Sequence, residues 1–320
     1  MLYIPSDAAR QPRMGPLPFP DPGDREPWRT PSVTIPGAAL PDLTTLLQLL
    51  SLRKLGVRQL QADPGPGPPD RRLFGGLVAS QAVVAAAATV DPERPLHSLH
   101  SYFLRPGRHG PPIDMDVDEI RNGRSFATRR VVASQQGEAI FNLAASFKKP
   151  EPGVSHQRAM PQAIPPEQAE EFEDMRVRLL GGPDAKRPPS AVEVRMCKPL
   201  SLEPLAEPDG GANQPIWMRI RGTLPDDPMI HTAMLVYASD RALLSTASRP
   251  HGLHWGRGMG ASLDHSVWIH RPFRFDDWLL YSCDSPVAHA ARGLCFGSVF
   301  TSDGEHVATV AQEGLIRFDP

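Results

Sequence analysis

Cysteine is scarce. Cys197, Cys283 and Cys295 are the only three in 320 residues. Three scattered thiols do not make a disulfide framework, and no Cys-x-x-Cys or Cys/His cluster offers zinc-ligand spacing. A reducing compartment fits that usage. An excess of charge of one sign is also missing. The formal net charge is −2, so no broad basic field draws in nucleic acid. Long hydrophobic runs are absent as well. The most apolar stretch, residues 77–90, is alanine-rich and too short to span a bilayer. Residues 1–30 lack the apolar core of a signal peptide, and their arginines are mixed with acids, unlike a presequence. The final residues, Phe318-Asp319-Pro320, carry no Ser-Lys-Leu address. The expectation is a cytoplasmic protein with no metal and no cofactor, no nucleic-acid partner and no membrane insertion.

Hydrophobic residues make up 40% of the chain, enough for real cores. Proline is plentiful, and residues 1–38 are dense in it, which predicts a disordered tail. A helix follows Asp42 as N-cap, with Leu43, Leu46, Leu47 and Leu50 at helical spacing. Residues 57–62 read as a strand, and Pro64-Gly65-Pro66-Gly67-Pro68-Pro69 as a loop. Gly75-Gly76 opens a helix running to about Val90. Strands are predicted over 96–104, 113–120, 125–134 and 139–148, the last two joined by a turn at Gln136-Gly137. A connector rich in Pro and Gly begins at Lys149 and holds a helix over 167–180, with strands over 191–197 and 216–221. The first pattern then returns. A helix over 231–247 precedes strands over 262–270, 278–284, 293–301 and 307–318, with a turn at Asp303-Gly304.

This return is an internal repeat. Ser134-Gln135-Gln136-Gly137-Glu138-Ala139-Ile140 lies on Thr301-Ser302-Asp303-Gly304-Glu305-His306-Val307, and the same offset carries Ala144-Ala145 onto Ala311-Gln312. With one slipped residue, His100-Ser101 matches His265-Ser266, and Arg105-Pro106 matches Arg271-Pro272. So long a period is a duplicated domain, each copy an α+β unit of one helix wrapped by an antiparallel sheet. The expected units are 39–148 and 191–320, joined by a linker with a short helix over 149–190. Gln312 lies opposite Ala145, so a site built on Gln312 belongs to the second copy.

Each candidate residue has an ordinary reading beside the chemical one. Asp240 shares a helix face with Ala233, Val236, Tyr237 and Leu244. A carboxylate on that apolar face must be paired, hydrogen-bonded or wet, unless the helix has already ended. Ser262, Asp264 and His265 tempt one towards a nucleophilic triad. They sit too close on one strand to converge, because alternate residues face opposite ways, and no Gly-x-Ser-x-Gly elbow exists. Gln312 alternates with Ala308 and Val310, as an edge glutamine would. Gly75 and Gly76 are a helix entry, or backbone N–H groups aimed at an oxygen. The basic pairs Arg71-Arg72, Arg129-Arg130 and Lys148-Lys149 read more simply as solvated strand ends than as phosphate ligands.

Together these stretches resemble the acyl-CoA thioesterase II family, with its double hot-dog fold. The pieces are Arg72-Leu73-Phe74-Gly75-Gly76 with Gln81-Ala82, His97 to Gly107, Tyr237-Ala238-Ser239-Asp240, Ser262-Leu263-Asp264-His265-Ser266-Val267-Trp268, and Gln312-Glu313-Gly314. The likeness runs from about Leu43 to Arg317. It departs at Leu77, where family members often carry Gln, and in the extra tail. It implies hydrolysis of acyl-CoA to fatty acid and CoA by a water that Asp240, Ser262 and Gln312 orient. Gly75, Gly76 and Arg72 would contact the substrate, no metal would be needed, and a homo-oligomer (dimer or tetramer) is expected. Two readings compete. A hot-dog enoyl-CoA hydratase would need Asp264 and His265 to converge on one water. A non-catalytic acyl-CoA-binding module would bind without turnover.

Overall fold

The computed structural model describes residues 41–180, 190–199, 203–252 and 259–317. The expected tail over 1–38 lies outside the described residues. The first unit holds α1 (Leu43–Leu49), β1 (Arg53–Lys54), β2 (Gln59–Ala62), α2 (Gly75–Ala87), β3 (Leu96–Phe103), β4 (Ile113–Asn122), β5 (Phe126–Gln135) and β6 (Glu138–Lys148). Asp42 caps α1 as expected, its Oδ1 accepting from the Thr45 N–H at 2.8 Å. The β5–β6 turn has positive φ at Gln136 and Gly137, 53° and 81°.

The connector supplies β7 (Glu170–Glu171), α3 (Phe172–Leu180), β8 (Val192–Met196) and β9 (Ala212–Ile220). The helix expected from residue 167 starts only at Phe172, because Glu170 and Glu171 pair with β8 instead. β9 runs through Pro215, whose missing N–H is tolerated because β8 pairing stops at Ile216. The second unit holds α4 (Pro228–Ser248), β10 (Met259–Ser262), β11 (Asp264–Ile269), β12 (Leu279–His289), β13 (Arg292–Thr301) and β14 (His306–Arg317).

All strands join one antiparallel sheet, with β3 and β11 side by side at its centre. From that seam the order reads β3-β6-β5-β4-β2 one way and β11-β14-β13-β12-β9 the other. The two halves mirror each other, which is the double hot-dog arrangement. α2 packs on β3 to β6, and α4 on β9, β12, β13 and β14. The helices also pack on each other. A Cβ at Gly76 would lie 2.5 Å from the Tyr237 carbonyl oxygen, so only glycine permits that approach. Alanines Ala79, Ala82, Ala85 and Ala86 are fully buried, which explains the small residues of α2.

The pairing corrects one detail of the repeat. His100 pairs with Ala144, and Ser266 with Ala311. His100 therefore corresponds to Ser266, and His265 to Leu99. The expected match of His100 with His265 is off by one residue; His100 is exposed and His265 buried. No helix among the described residues is long and apolar enough to cross a membrane.

Candidate active site

Asp240 lies within α4 on the face that holds Ala233, Val236 and Tyr237, and it is 9% exposed. Gln312 points inward from β14 and is fully buried. Ser262 reaches the same place through a break in its strand. Residues 262–270 do not form one strand, as expected, but two. Ser262 stands opposite Gly314, and Ser266 opposite Ala311. Four residue steps on one side thus span three on the other, so one extra residue sits near Leu263. On an unbroken strand Ser262 would share the outer face of Asp264 and Ser266. The extra residue turns it to the inner face, with His265 and Val267.

The three side chains meet. Ser262 Oγ donates to Asp240 Oδ1 at 2.9 Å. Gln312 Nε2 donates to the same Oδ1 at 2.6 Å and to Ser262 Oγ at 2.7 Å. Gln312 Oε1 is buried without a protein partner. Gly75, from the first unit, completes the wall. A Cβ there would lie 3.0 Å from Asp240 Oδ2 and 2.6 Å from Phe103 Cε1. Phe74 gives no side-chain cap to α2, so that helix presents uncapped first-turn N–H groups. Leu77, in the same first turn, is buried.

Other candidates fall elsewhere. Arg72 is exposed, in a bridge with Arg108 ahead of α2. Arg129 is not a solvated strand end. It is 2% exposed, and its guanidinium binds the Thr89 hydroxyl and carbonyl, each at 2.8 Å, just past the end of α2. Asp264 and His265 do not converge. Asp264 Oδ1 accepts from the Glu313 N–H at 2.7 Å, while His265 Nε2 meets Ser239 Oγ at 2.9 Å on the other face. Burial raises the Asp264 carboxyl above the usual range, against the pull of the Glu313 N–H. Burial also lowers the His265 imidazole, against the nearby Asp240 and Asp264 carboxylates, which favours the neutral ring. The sequence gives His265 no role once a triad with Ser262 and Asp264 is set aside. Its parity with Val267 was the available signal that it faces inward. Among the described residues, no group of three or more His, Cys, Asp or Glu stands where it could hold a metal ion.

The first unit has no copy of this constellation. Leu96 opposes Phe147 there, as Ser262 opposes Gly314. Arg129 opposes Ala145, as Cys295 opposes Gln312. Leu96, Leu99 and Ala145 thus occupy the places of Ser262, His265 and Gln312, and the site is apolar in one half and polar in the other.

Comparison with known proteins bears on the family and the fold. Residues 63–148 match the model of the acyl-CoA thioesterase N-terminal domain, and residues 197–315 that of acyl-CoA thioesterase. Mouse acyl-coenzyme A thioesterase 8 is 40% identical over 270 residues, covering 79% of this chain and 82% of the relative. Acyl-CoA thioesterase 2 of Haemophilus influenzae is 37% identical over 287 residues, covering 86% and 98%. An acyl-CoA thioesterase II from Mycobacterium marinum superposes with a TM-score of 0.71 at 40% identity, covering 86% of this chain and 97% of that one. A hot-dog protein from Alicyclobacillus acidocaldarius, 20% identical with a TM-score of 0.68 and covering 86% and 98%, shares the fold. With a sequence that aligns over most of its length and two helix-in-sheet halves, the chain belongs to the acyl-CoA thioesterase II family and is a thioester hydrolase.

Proposed function

We propose that the chain hydrolyses acyl-CoA to free fatty acid and CoA with one water held by Asp240, Ser262 and Gln312. The observation that carries this reading is their three-way hydrogen-bonded contact in a buried place. A partnerless buried amide oxygen such as Gln312 Oε1 costs about 1–3 kcal/mol, which a donating water would offset. The Asp240 carboxylate can only accept, so it is the base that takes the water's proton. The Ser262 hydroxyl and the Gln312 amide orient carboxylate and water. A thioester carbonyl is less resonance-stabilised than an ester, and a thiolate leaves readily. The water oxygen adds to the carbonyl carbon, the C–S bond breaks, and CoA departs as thiolate to receive the proton. The uncapped N–H groups of Gly75 and Gly76 face the developing oxyanion, a role worth about 2.7–4 kcal/mol per donor. Arg72, exposed ahead of that helix, is the candidate for a CoA phosphate.

In this reading residues 39–148 and 191–320 are the two domains, joined by 149–190, and the second carries the base. Three unlinked thiols favour a reducing, cytoplasmic setting. Assembly into a dimer or tetramer is part of the same proposal. Asp240→Asn keeps the shape of the side chain and removes the base. It is expected to cut turnover about 10²–10⁴-fold with unchanged circular dichroism. Hydrolysis of acyl-CoA by Asp240→Asn at the wild-type rate would overturn the assignment.

A further inference from the structure

We propose that Asp264 and His265 are positioning residues that set the spacing of Asp240, Ser262 and Gln312; the inference rests on the reading above. Each holds the chain neighbour of a site residue. Asp264 Oδ1 takes the N–H of Glu313, next to Gln312. His265 Nε2 meets the hydroxyl of Ser239, next to Asp240. The His265 carbonyl accepts from Ser101 Oγ at 2.7 Å, tying the same point to β3 of the first unit. Two adjacent residues on opposite faces of β11 therefore grip β14 with one side chain and α4 with the other. Ser262 stands just before them, across the extra residue.

The duplicated half separates this role from folding. A register shift between Leu96 and Ser98 recurs in β3, at the place matching Leu263. The fold makes that irregularity with Ser98 and Leu99 where the second half has Asp264 and His265. A packed core thus has no need of a carboxylate or an imidazole there. His265 even leaves Nδ1 buried without a partner, which costs stability that leucine would not. The polar pair is explained by what it touches: the two segments that carry the base and the amide.

The test uses the residues that the first half carries, so the fold is expected to accept them. His265→Leu and Asp264→Ser should each lower kcat about 10-fold to 100-fold, the scale of a small misplacement, with KM within about twofold. Asp264→Asn keeps an acceptor for the Glu313 N–H and should recover most of kcat, which a simple loss of charge would not allow. Ser239→Ala removes the imidazole's partner from the other side. It should match His265→Leu, and the double variant should be no worse than either single one. Wild-type kcat in His265→Leu and Asp264→Ser, or fully additive losses in the Ser239/His265 pair, would overturn the inference. Asp240→Asn run alongside separates the two claims. If it keeps full turnover, the water-holding site fails. If it is inactive while the positioning variants are unaffected, only the positioning role fails.

Discussion

Gly75→Ala is the substitution whose outcome depends most on the close contact between the two units. The added methyl carbon would sit 2.6 Å from Phe103 Cε1 and 3.0 Å from Asp240 Oδ2. Ordinary carbon–carbon contact is about 3.5–4.0 Å, so the Phe103 ring must move. Phe103 ends a strand and is half-buried, which makes that movement possible. Overpacking of this kind costs about 1–3 kcal/mol, while alanine in place of glycine returns roughly 0.5–1 kcal/mol of helix stability. The net loss is on the order of 1 kcal/mol. The consequence for chemistry is larger. The methyl occupies the space beside the one Asp240 oxygen that neither Ser262 nor Gln312 engages, and it offers no donor. Neither a water nor a thioester carbonyl can then approach as before, and kcat/KM should fall about 10²-fold. Thiol release from acyl-CoA, with denaturant unfolding on the same sample, gives both numbers. A Gly75→Ala enzyme with wild-type kcat/KM and unchanged stability would refute the geometry.

Gly76→Ala should behave differently. Its methyl would meet the Tyr237 carbonyl at 2.5 Å, a backbone atom that cannot swing away, so α2 and α4 must separate. Unfolding at clearly lower denaturant is expected, and unchanged stability would contradict the close approach. Ala145→Gln puts an amide at the fully packed counterpart of Gln312. It should cost about 1–3 kcal/mol as an unsatisfied buried group and leave kcat per folded enzyme unchanged; altered kcat would place part of the site in the first unit. Stability should also fall with acid. Burial lowers the imidazoles of His97, His231, His265, His270 and His306 below their ordinary value. The unfolded chain then binds more protons as pH drops through about 6.5, so their contribution is present above that pH and lost below it. Unfolding midpoints should be lower at acidic than at neutral pH, with a weaker dependence in His265→Leu; a flat profile would refute this.

Much of the fold was legible because local signals agreed with each other. Gln136-Gly137 and the alternation on either side specify a hairpin, and the buried face of α4 could be read from Ala233, Val236, Tyr237 and Asp240. The duplication supplied the rest of the architecture, since helix and strands recur in order. The inward turn of Ser262 was not legible. A single extra residue near Leu263 changes neither composition nor hydrophobicity, yet it reverses which face every earlier residue takes. His265 was misplaced in the repeat for a different reason: the shared His-Ser pair of His100-Ser101 and His265-Ser266 lies one residue out of the register that the strand pairing gives. Arg129 looked like half of a solvated basic pair, because its partners, Thr89 and the segment closing α2, are distant in sequence. The site residues were individually weak signals. Their meeting is a tertiary fact, made by a helix, a strand break and an inner strand.

The central claim is that Asp240 activates water and does not itself attack the thioester. Single turnover with enzyme in excess, in water enriched with oxygen-18, tests it directly. If Asp240 is the base, the released fatty acid carries one heavy oxygen and the peptide containing Asp240 carries none. Heavy oxygen in the Asp240 carboxylate, with unlabelled fatty acid from the first turnover, would mean that an acyl–aspartate anhydride forms and that the held water is not the nucleophile.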